Sequence, residues 1–292
     1  MISLKIAGII HGFRLKAILM SFTTITIGVV FSYQETGIIS PKLWAHYLIL
    51  MMIYTYATIL NSYYDWLLGV DDEKTTTNRM MFDYGITKTD VQNYMIFGIV
   101  VECLLFHYCF SHLAWLDYCV ALFIIVQISL ISVFYNAPPL RMKNILFGAE
   151  IAVFGSYGLL TFAAYFFNTG IMTFNSFVYG IPCFILGTLT ITGNLLHDIE
   201  DDRKGGSYSS AMHFGPIGSY YIFISWIYIA YISLIIISII KSNMLINLPF
   251  LIVPYFSFIS KRVKNQNYQN IKLLGLSAVS LFNILYLVGG CL

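Results

Sequence analysis

The sequence predicts an all-α, polytopic membrane protein of nine transmembrane helices. Three observations carry that class. Of the 292 residues, 58% are hydrophobic and 10% charged, whereas a soluble domain is nearer 45–50% apolar and roughly 25% charged. Mean hydropathy is +0.76. Apolar runs able to cross a bilayer, each needing about 20 residues, follow one another along the chain with short polar connections. This composition excludes a soluble globule, a disordered chain, a secreted disulfide scaffold and a basic nucleic-acid binder, so the lipid bilayer is the expected surrounding and nucleic acid is not a partner. The spans leave no room for a separate soluble domain, and residues 1–292 are read as one integral-membrane domain.

The first run, 17–33, follows Arg14 and Lys16 and ends without an A-x-A-like cleavage site, so it reads as a span and not as a cleaved leader. The second, 43–64, runs into an acidic string. The next four fall at 94–111, 115–134, 147–167 and 174–196, and a second acidic string follows the last of them. The final three fall at 217–240, 245–260 and 271–290. Cys103, Cys109, Cys119, Cys183 and Cys291 are scattered in or near these runs with no CxxC pair, and read as packing residues.

Alternating sides with the N-terminus inside sorts the basic residues sharply. Lys5, Arg14, Lys16, Lys74, Arg79, Lys88, Arg141, Lys143, Arg203, Lys204, Lys261, Arg262, Lys264 and Lys272 fall on the inner side, and only Lys42 and Lys241 on the outer. Basic residues are retained on the cytoplasmic side of membrane proteins, so the N-terminus and the acidic strings are expected to be cytoplasmic, in what reads as a bacterial cell membrane.

The acids are clustered on that same side. Asp65, Asp71, Asp72, Glu73, Asp83 and Asp90 follow the second span; Asp198, Glu200, Asp201 and Asp202 follow the sixth. Solvation accounts for Glu73, Asp83 and Asp90. It suits Asp65 and Asp198 poorly, because each directly follows a long apolar run and a buried Asp costs about 2.5–3.5 kcal/mol on insertion scales. Both strings open with Asn-x-x-x-Asp: Asn61 with Asp65, and Asn194 with Asp198, continued by Asp202. Residues i and i+4 share a helix face, so each Asn points with its Asp. Asp71 would be off that face on a continuous helix, so the second span is expected to unwind near Gly69 and bring Asp71 or Asp72 back toward Asp65.

Paired carboxylates are hard oxygen ligands. They suit Mg²⁺, which takes one or two carboxylates together with waters and substrate phosphates. Asp65, Asp71, Asp72, Asp198, Asp201 and Asp202 are the candidate ligands. The nearby cations fit a polyanion: Lys74 and Arg79 after the first string, Arg203 and Lys204 after the second, and Arg141 and Lys143 between the fourth and fifth spans. Lys261, Arg262 and Lys264 read as topology signals only. A cation transporter also carries acids at helix ends, but clusters gathered at one face and accompanied by cations favour a phosphorylated ligand.

These strings resemble the UbiA superfamily of intramembrane prenyltransferases, and the resemblance spans nearly the whole chain. Asn78-Arg79 with Gly85-Ile86-Thr87-Lys88 resembles that family's loop between helices 2 and 3. Tyr135-Asn136-Ala137-Pro138-Pro139-Leu140-Arg141-Met142-Lys143 resembles its loop between helices 4 and 5, and Gly148-Ala149-Glu150 its Gly-Glu segment. Within the family these strings are most similar to 1,4-dihydroxy-2-naphthoate polyprenyltransferases of menaquinone biosynthesis. Ser62, Gly193 and His197 depart from the residues those groups usually carry.

The resemblance implies nine helices enclosing a central cavity, and Mg²⁺-dependent transfer of a polyprenyl chain from polyprenyl diphosphate to an aromatic acceptor. A 4-hydroxybenzoate-like or natural-product phenol is the alternative acceptor. Asp65, Asp198, Tyr135 and Arg141 are then the expected catalytic residues. Asn61, Asn194, Arg79, Lys143, Lys74, Arg203, Lys204 and His197 would bind substrate, with Tyr63 and Tyr64 offering ring faces to the allylic cation. Glu102 is an acid inside the third span, and Glu150 is placed to orient Arg141 or Lys143.

Overall fold

The computed structural model describes residues 2–71, 73–74, 76, 78–197, 199, 203 and 208–292. Helices α1 (Ile2–Gly12), α2 (Leu15–Thr36), α3 (Leu43–Leu67), α4 (Met80–Asp83), α5 (Lys88–Phe110) and α6 (Trp115–Asn136) make the first half. Helices α7 (Gly148–Thr169), α8 (Phe174–His197), α9 (Ser210–Ile240), α10 (Val253–Lys264) and α11 (Ile271–Cys291) make the second. Among the described residues there is no strand, and nine segments are long and apolar enough to cross a membrane. With no water to satisfy the backbone inside a bilayer, helices are the economical way to cross it.

The runs expected from hydropathy are the helices observed, with displaced ends that have local causes. The third span starts at Lys88 rather than 94 because Thr87 and Asp90 form a capping box: the Asp90 amide donates to Thr87 Oγ1 at 3.2 Å and the Thr87 amide to Asp90 Oδ2 at 2.8 Å. The seventh starts at Ser210 rather than 217, its first turns set off by a break where Gly215 has φ 66° ahead of Pro216. The eighth divides into a 3₁₀ segment, Met244–Ile252, and α10. Pro249 and Pro254 each lack an amide for an α-helical ladder, which accounts for the tighter turn.

Packing divides the bundle into centre and rim. Helices α7 and α8 are the most enclosed spans, while α5 and α6 expose most of their surface. A continuous apolar core runs through Phe31, Ile49, Phe166, Phe184, Phe223, Phe256 and Phe282. A second, separate cluster of Ile59, Tyr63, Met80, Met81, Ile86 and Val91 lies where α1, α3, α4 and α5 meet. Helix α1, at 11 residues too short to cross a membrane, is set off from α2 by Arg14 in the left-handed region (φ 49°).

The loops that carry the candidate residues converge at one end. Lys143, between α6 and α7, ion-pairs with Asp65 at the end of α3. The Tyr208 amide, before α9, donates to the Asn144 carbonyl at 2.8 Å. Ser210, at the start of α9, donates to Glu150 in the first turn of α7.

Candidate active site

Helix α3 builds the centre of the site. Asn61 and Asp65 lie one turn apart, and Asn61 Nδ2 donates to Asp65 Oδ2 at 3.0 Å. Immediately beyond, the chain reverses. Gly69 has φ 68°, a conformation that costs a side-chain-bearing L residue roughly 1–2 kcal/mol. The Val70 and Asp71 amides both return to the Asp65 carbonyl, at 2.9 and 3.1 Å. The expected unwinding near Gly69 is therefore observed, and it cancels the off-face spacing of Asp71.

Asp71 is held by neutral donors. Thr76 Oγ1 donates to it at 2.8 Å and Asn78 Nδ2 at 3.0 Å. Burial pushes its carboxyl above the usual 3.8, and the Asp65 charge pushes the same way against those two hydrogen bonds. Two acids in mutual repulsion in a half-buried setting are an arrangement that a cation relieves.

The cations are distributed unequally. Lys143 and Asp65 form a shielded pair, with side chains 14% and 12% exposed. Arg141 sits at a left-handed position (φ 42°) ahead of the 3₁₀ turn Met142–Asn144, and its Nε is buried with no hydrogen-bond partner among the described residues. Arg14 lies close enough to Asp71 to act on its charge, and its carbonyl accepts from Tyr54 Oη at 3.3 Å. Sequence reading counted Arg14 as a topology residue only, because nothing in the linear order ties it to Asp71. Arg79 is taken up elsewhere: its Nε donates to Asp83 at 2.8 Å, its NH1 reaches the Glu73 carbonyl, and its charge holds the Asp83 carboxyl below the usual value.

Several expected residues fall in other places. Tyr63 and Tyr64 do not join the Asp65 face. Tyr63 is buried with Ile59, Met80, Met81 and Ile86, Tyr64 packs against that cluster, and both line a groove of about 700 Å³ between α3 and α5. Their positions one and two residues before Asp65 rotate them off its face. Tyr54 does share that face, three turns from Asp65, and Tyr157 on α7 is buried with its hydroxyl 3.4 Å from Ser21 Oγ. Tyr135, in the last turn of α6, packs against the main core without leaving the loop end that carries Arg141 and Lys143. Glu150 is buried and accepts from Ser210, so its described hydrogen bond is to α9 and not to Arg141 or Lys143. Glu102 is buried in α5, and Asp90 caps that helix while pairing with Lys5 at 2.7 Å.

The second acidic string is described only in part. Asn194 is half-buried and His197 exposed at the end of α8; Arg203 and Lys74 are exposed. Asp72, Asp198, Asp201, Asp202 and Lys204 lie outside the described residues. Among the described residues no three His, Cys, Asp or Glu side chains form a metal-binding group.

The sequence profile of the UbiA prenyltransferase family matches residues 21–281. The chain belongs to that family. As a UbiA family member it is a membrane-embedded transferase of prenyl groups. It is 24% identical over 285 residues to UbiA prenyltransferase domain-containing protein 1 of Dictyostelium discoideum, covering 91% of this chain and 82% of that one. The human protein of the same name is 22% identical over 294 residues, covering 98% and 83%. A UbiA homolog from Archaeoglobus fulgidus, solved bound to GPP and Mg²⁺, superposes with a TM-score of 0.65 at 14% identity, covering 97% and 98% of the two chains. The relatives therefore bear out the family expected from the sequence. They do not single out the 1,4-dihydroxy-2-naphthoate branch, and these two are eukaryotic, which gives no support to a bacterial membrane.

Proposed function

We propose that this UbiA family member transfers a polyprenyl chain from its diphosphate to an aromatic acceptor of the 1,4-dihydroxy-2-naphthoate type, with Mg²⁺, at the cytoplasmic face. The observation that carries the reading is the reversal at Gly69, which sets Asp71 beside Asp65 at the loop end where Lys143 and Arg141 also lie. The donor set fits Mg²⁺: hard oxygens, two carboxylates, and Asp71 held, among the described residues, by a hydroxyl and an amide. Asp65, Asp71 and Asn61 would hold the ion, with Asp72, Asp198, Asp201 and Asp202 as the expected partners from the two strings. When bound, it neutralises charge on the diphosphate.

The chain's own residues do the rest. Arg141 Nε, buried and without a partner among the described residues, can donate to a phosphate oxygen. Lys143 can exchange Asp65 for the diphosphate, and Arg14, Lys74, Arg203 and Lys204 add positive potential. As the allylic C–O bond breaks, both electrons leave with the diphosphate. Tyr54, three turns from Asp65 on the same face of α3, and Tyr157 on α7 offer ring faces along the path of the prenyl chain deeper in the bundle. The acceptor ring supplies the electron pair for the new C–C bond, and a naphthoate then loses CO₂ and regains aromaticity. The naphthoate assignment is supported by the strings around Asn78, Gly85 and Tyr135, with His197 as the acceptor-side candidate. Cytoplasmic orientation is supported by the distribution of Lys and Arg.

The test is purified protein in lipid nanodiscs with Mg²⁺, polyprenyl diphosphates and a panel of aromatic acids and phenols. A prenylated, decarboxylated naphthalene product is expected. Turnover only with a 4-hydroxybenzoate-like phenol moves the acceptor to the alternative, and no product with any acceptor removes the reading.

A further inference from the structure

We infer that α1 is a positioning element for the Asp71 loop, acting through its close contact with α4. The inference rests on the reading of Asp71 as part of the diphosphate–metal site. The physical chain begins with α1 itself. Gly8 and Gly12 are buried on one side of the helix, while Ile6 and Ile10 are 55% and 45% exposed on the other. The buried side packs closely on side chains of α4 and of the residues after it. A Cβ on Gly12 would lie 2.4 Å from Met80 Sδ, and one on Gly8 2.5 Å from Tyr84 Cβ and 2.6 Å from Ile86 Cδ1. His11 adds a ring contact with Tyr84 at 5.5 Å between centroids.

Helix α4 is the far anchor of the segment that holds Asp71. Asn78, two residues before Met80, donates to one carboxylate oxygen and Thr76 to the other. The Asn78 amide in turn donates to Thr76 Oγ1 at 3.1 Å, so the two donors move together. Met80 is fully buried in the small cluster, which is separate from the main core, so α4 is fixed mainly by α1, α3 and the start of α5. Lys5 completes the attachment, reaching both Asp90 oxygens at 2.9 and 2.7 Å at the cap of α5. At its other end α1 leads directly into Arg14, whose charge acts on Asp71. One helix thus bears on the acid from two directions: through α4 on its donors, and through Arg14 on its charge.

The experiment titrates Mg²⁺ in the full-length enzyme at saturating prenyl diphosphate. Gly12→Leu overpacks the α1–α4 contact and should raise the half-maximal Mg²⁺ concentration about tenfold. The rate at saturating Mg²⁺ should fall much less. Hydrogen–deuterium exchange should rise across residues 73–86 and stay unchanged in α8 and α11. Adding Met80→Ala to Gly12→Leu exchanges volume across the contact and should bring the midpoint back. Asp71→Asn is run as the reference. If Asp71→Asn leaves the midpoint in place, the underlying site reading fails. If Asp71→Asn moves it and Gly12→Leu does not, or if Met80→Ala gives no rescue, the role of α1 is overturned. Lys5→Ala releases only the tie to α5 and serves if Gly12→Leu does not fold. A rise of about two- to fourfold is expected, and an unchanged midpoint overturns the inference equally.

Discussion

The two ends of the bundle treat a carboxylate in opposite ways. At the end remote from the site, Glu35 in the last turn of α2 accepts from Tyr165 at 2.7 Å, from Tyr179, and from Lys241 at 2.8 Å. Lys241 also lies 4.7 Å from the Tyr179 ring centre and 5.6 Å from that of Phe31. Each charge there has its counter-charge inside the protein, and the cluster ties α2, α7, α8 and α9 together. At the site end, among the described residues, Asp71 is held by a hydroxyl and an amide beside a second acid, and Arg141 keeps a buried nitrogen unpartnered. A saturated acid works as a clamp. An acid hydrogen-bonded by neutral groups beside a second acid retains affinity for a cation, which is the property a diphosphate site needs.

That contrast can be broken or sharpened by substitution. The largest effect is expected for Asp65→Asn: a fall in kcat of about 10²–10³-fold, with an unchanged elution profile and a melting temperature lowered by no more than in Lys241→Ala. A rate within a fewfold of wild type would erase the distinction between the two ends. Asp71→Asn should cost about 10- to 100-fold in activity or metal affinity. It also carries a signature in pH. Burial and Asp65 raise the Asp71 pKa above 3.8, so its protonation, which removes its attraction for a cation, begins at higher pH than for an ordinary Asp. Wild-type turnover should therefore fall on acidification above the usual Asp range, and the Asn variant should lose that limb of the pH–rate profile.

At the opposite end, Lys241→Ala should lower thermal stability by about 1–2 kcal/mol, measured by unfolding in detergent, while kcat and KM stay in place. A catalytic loss without a stability loss would put function at the wrong end. The smallest effect belongs to Tyr63→Phe, with less than about a twofold change in rate, because this ring packs with Met80 and Met81 away from Asp65. A large loss in that variant would return Tyr63 to the reacting carbon.

Much of this was legible in the sequence because its physics is local. Charge-poor runs gave the spans, the i, i+4 rule paired Asn61 with Asp65, and Gly69 marked the reversal that recovers Asp71. What escaped the reading was non-local or depended on rotation about a helix. Tyr63 and Tyr64 sat beside Asp65 in the text but off its face, whereas Tyr54, a distant neighbour in sequence, lies on it; the same face rule applied backwards along α3 finds Tyr54. The contact of α1 with α4 and the Glu35–Lys241 clamp join residues far apart in the chain, with no spacing to announce them.

The reversal after α3 has a stereochemical consequence. A methyl group on Gly69 would meet no atom within 4 Å, so space does not exclude other residues there; chirality does. A D-alanine introduced by chemical ligation would fit the same backbone without strain, whereas its mirror image would pull the two carboxylates out of register. The mutual approach of the acids therefore hangs on the handedness permitted at a single α-carbon.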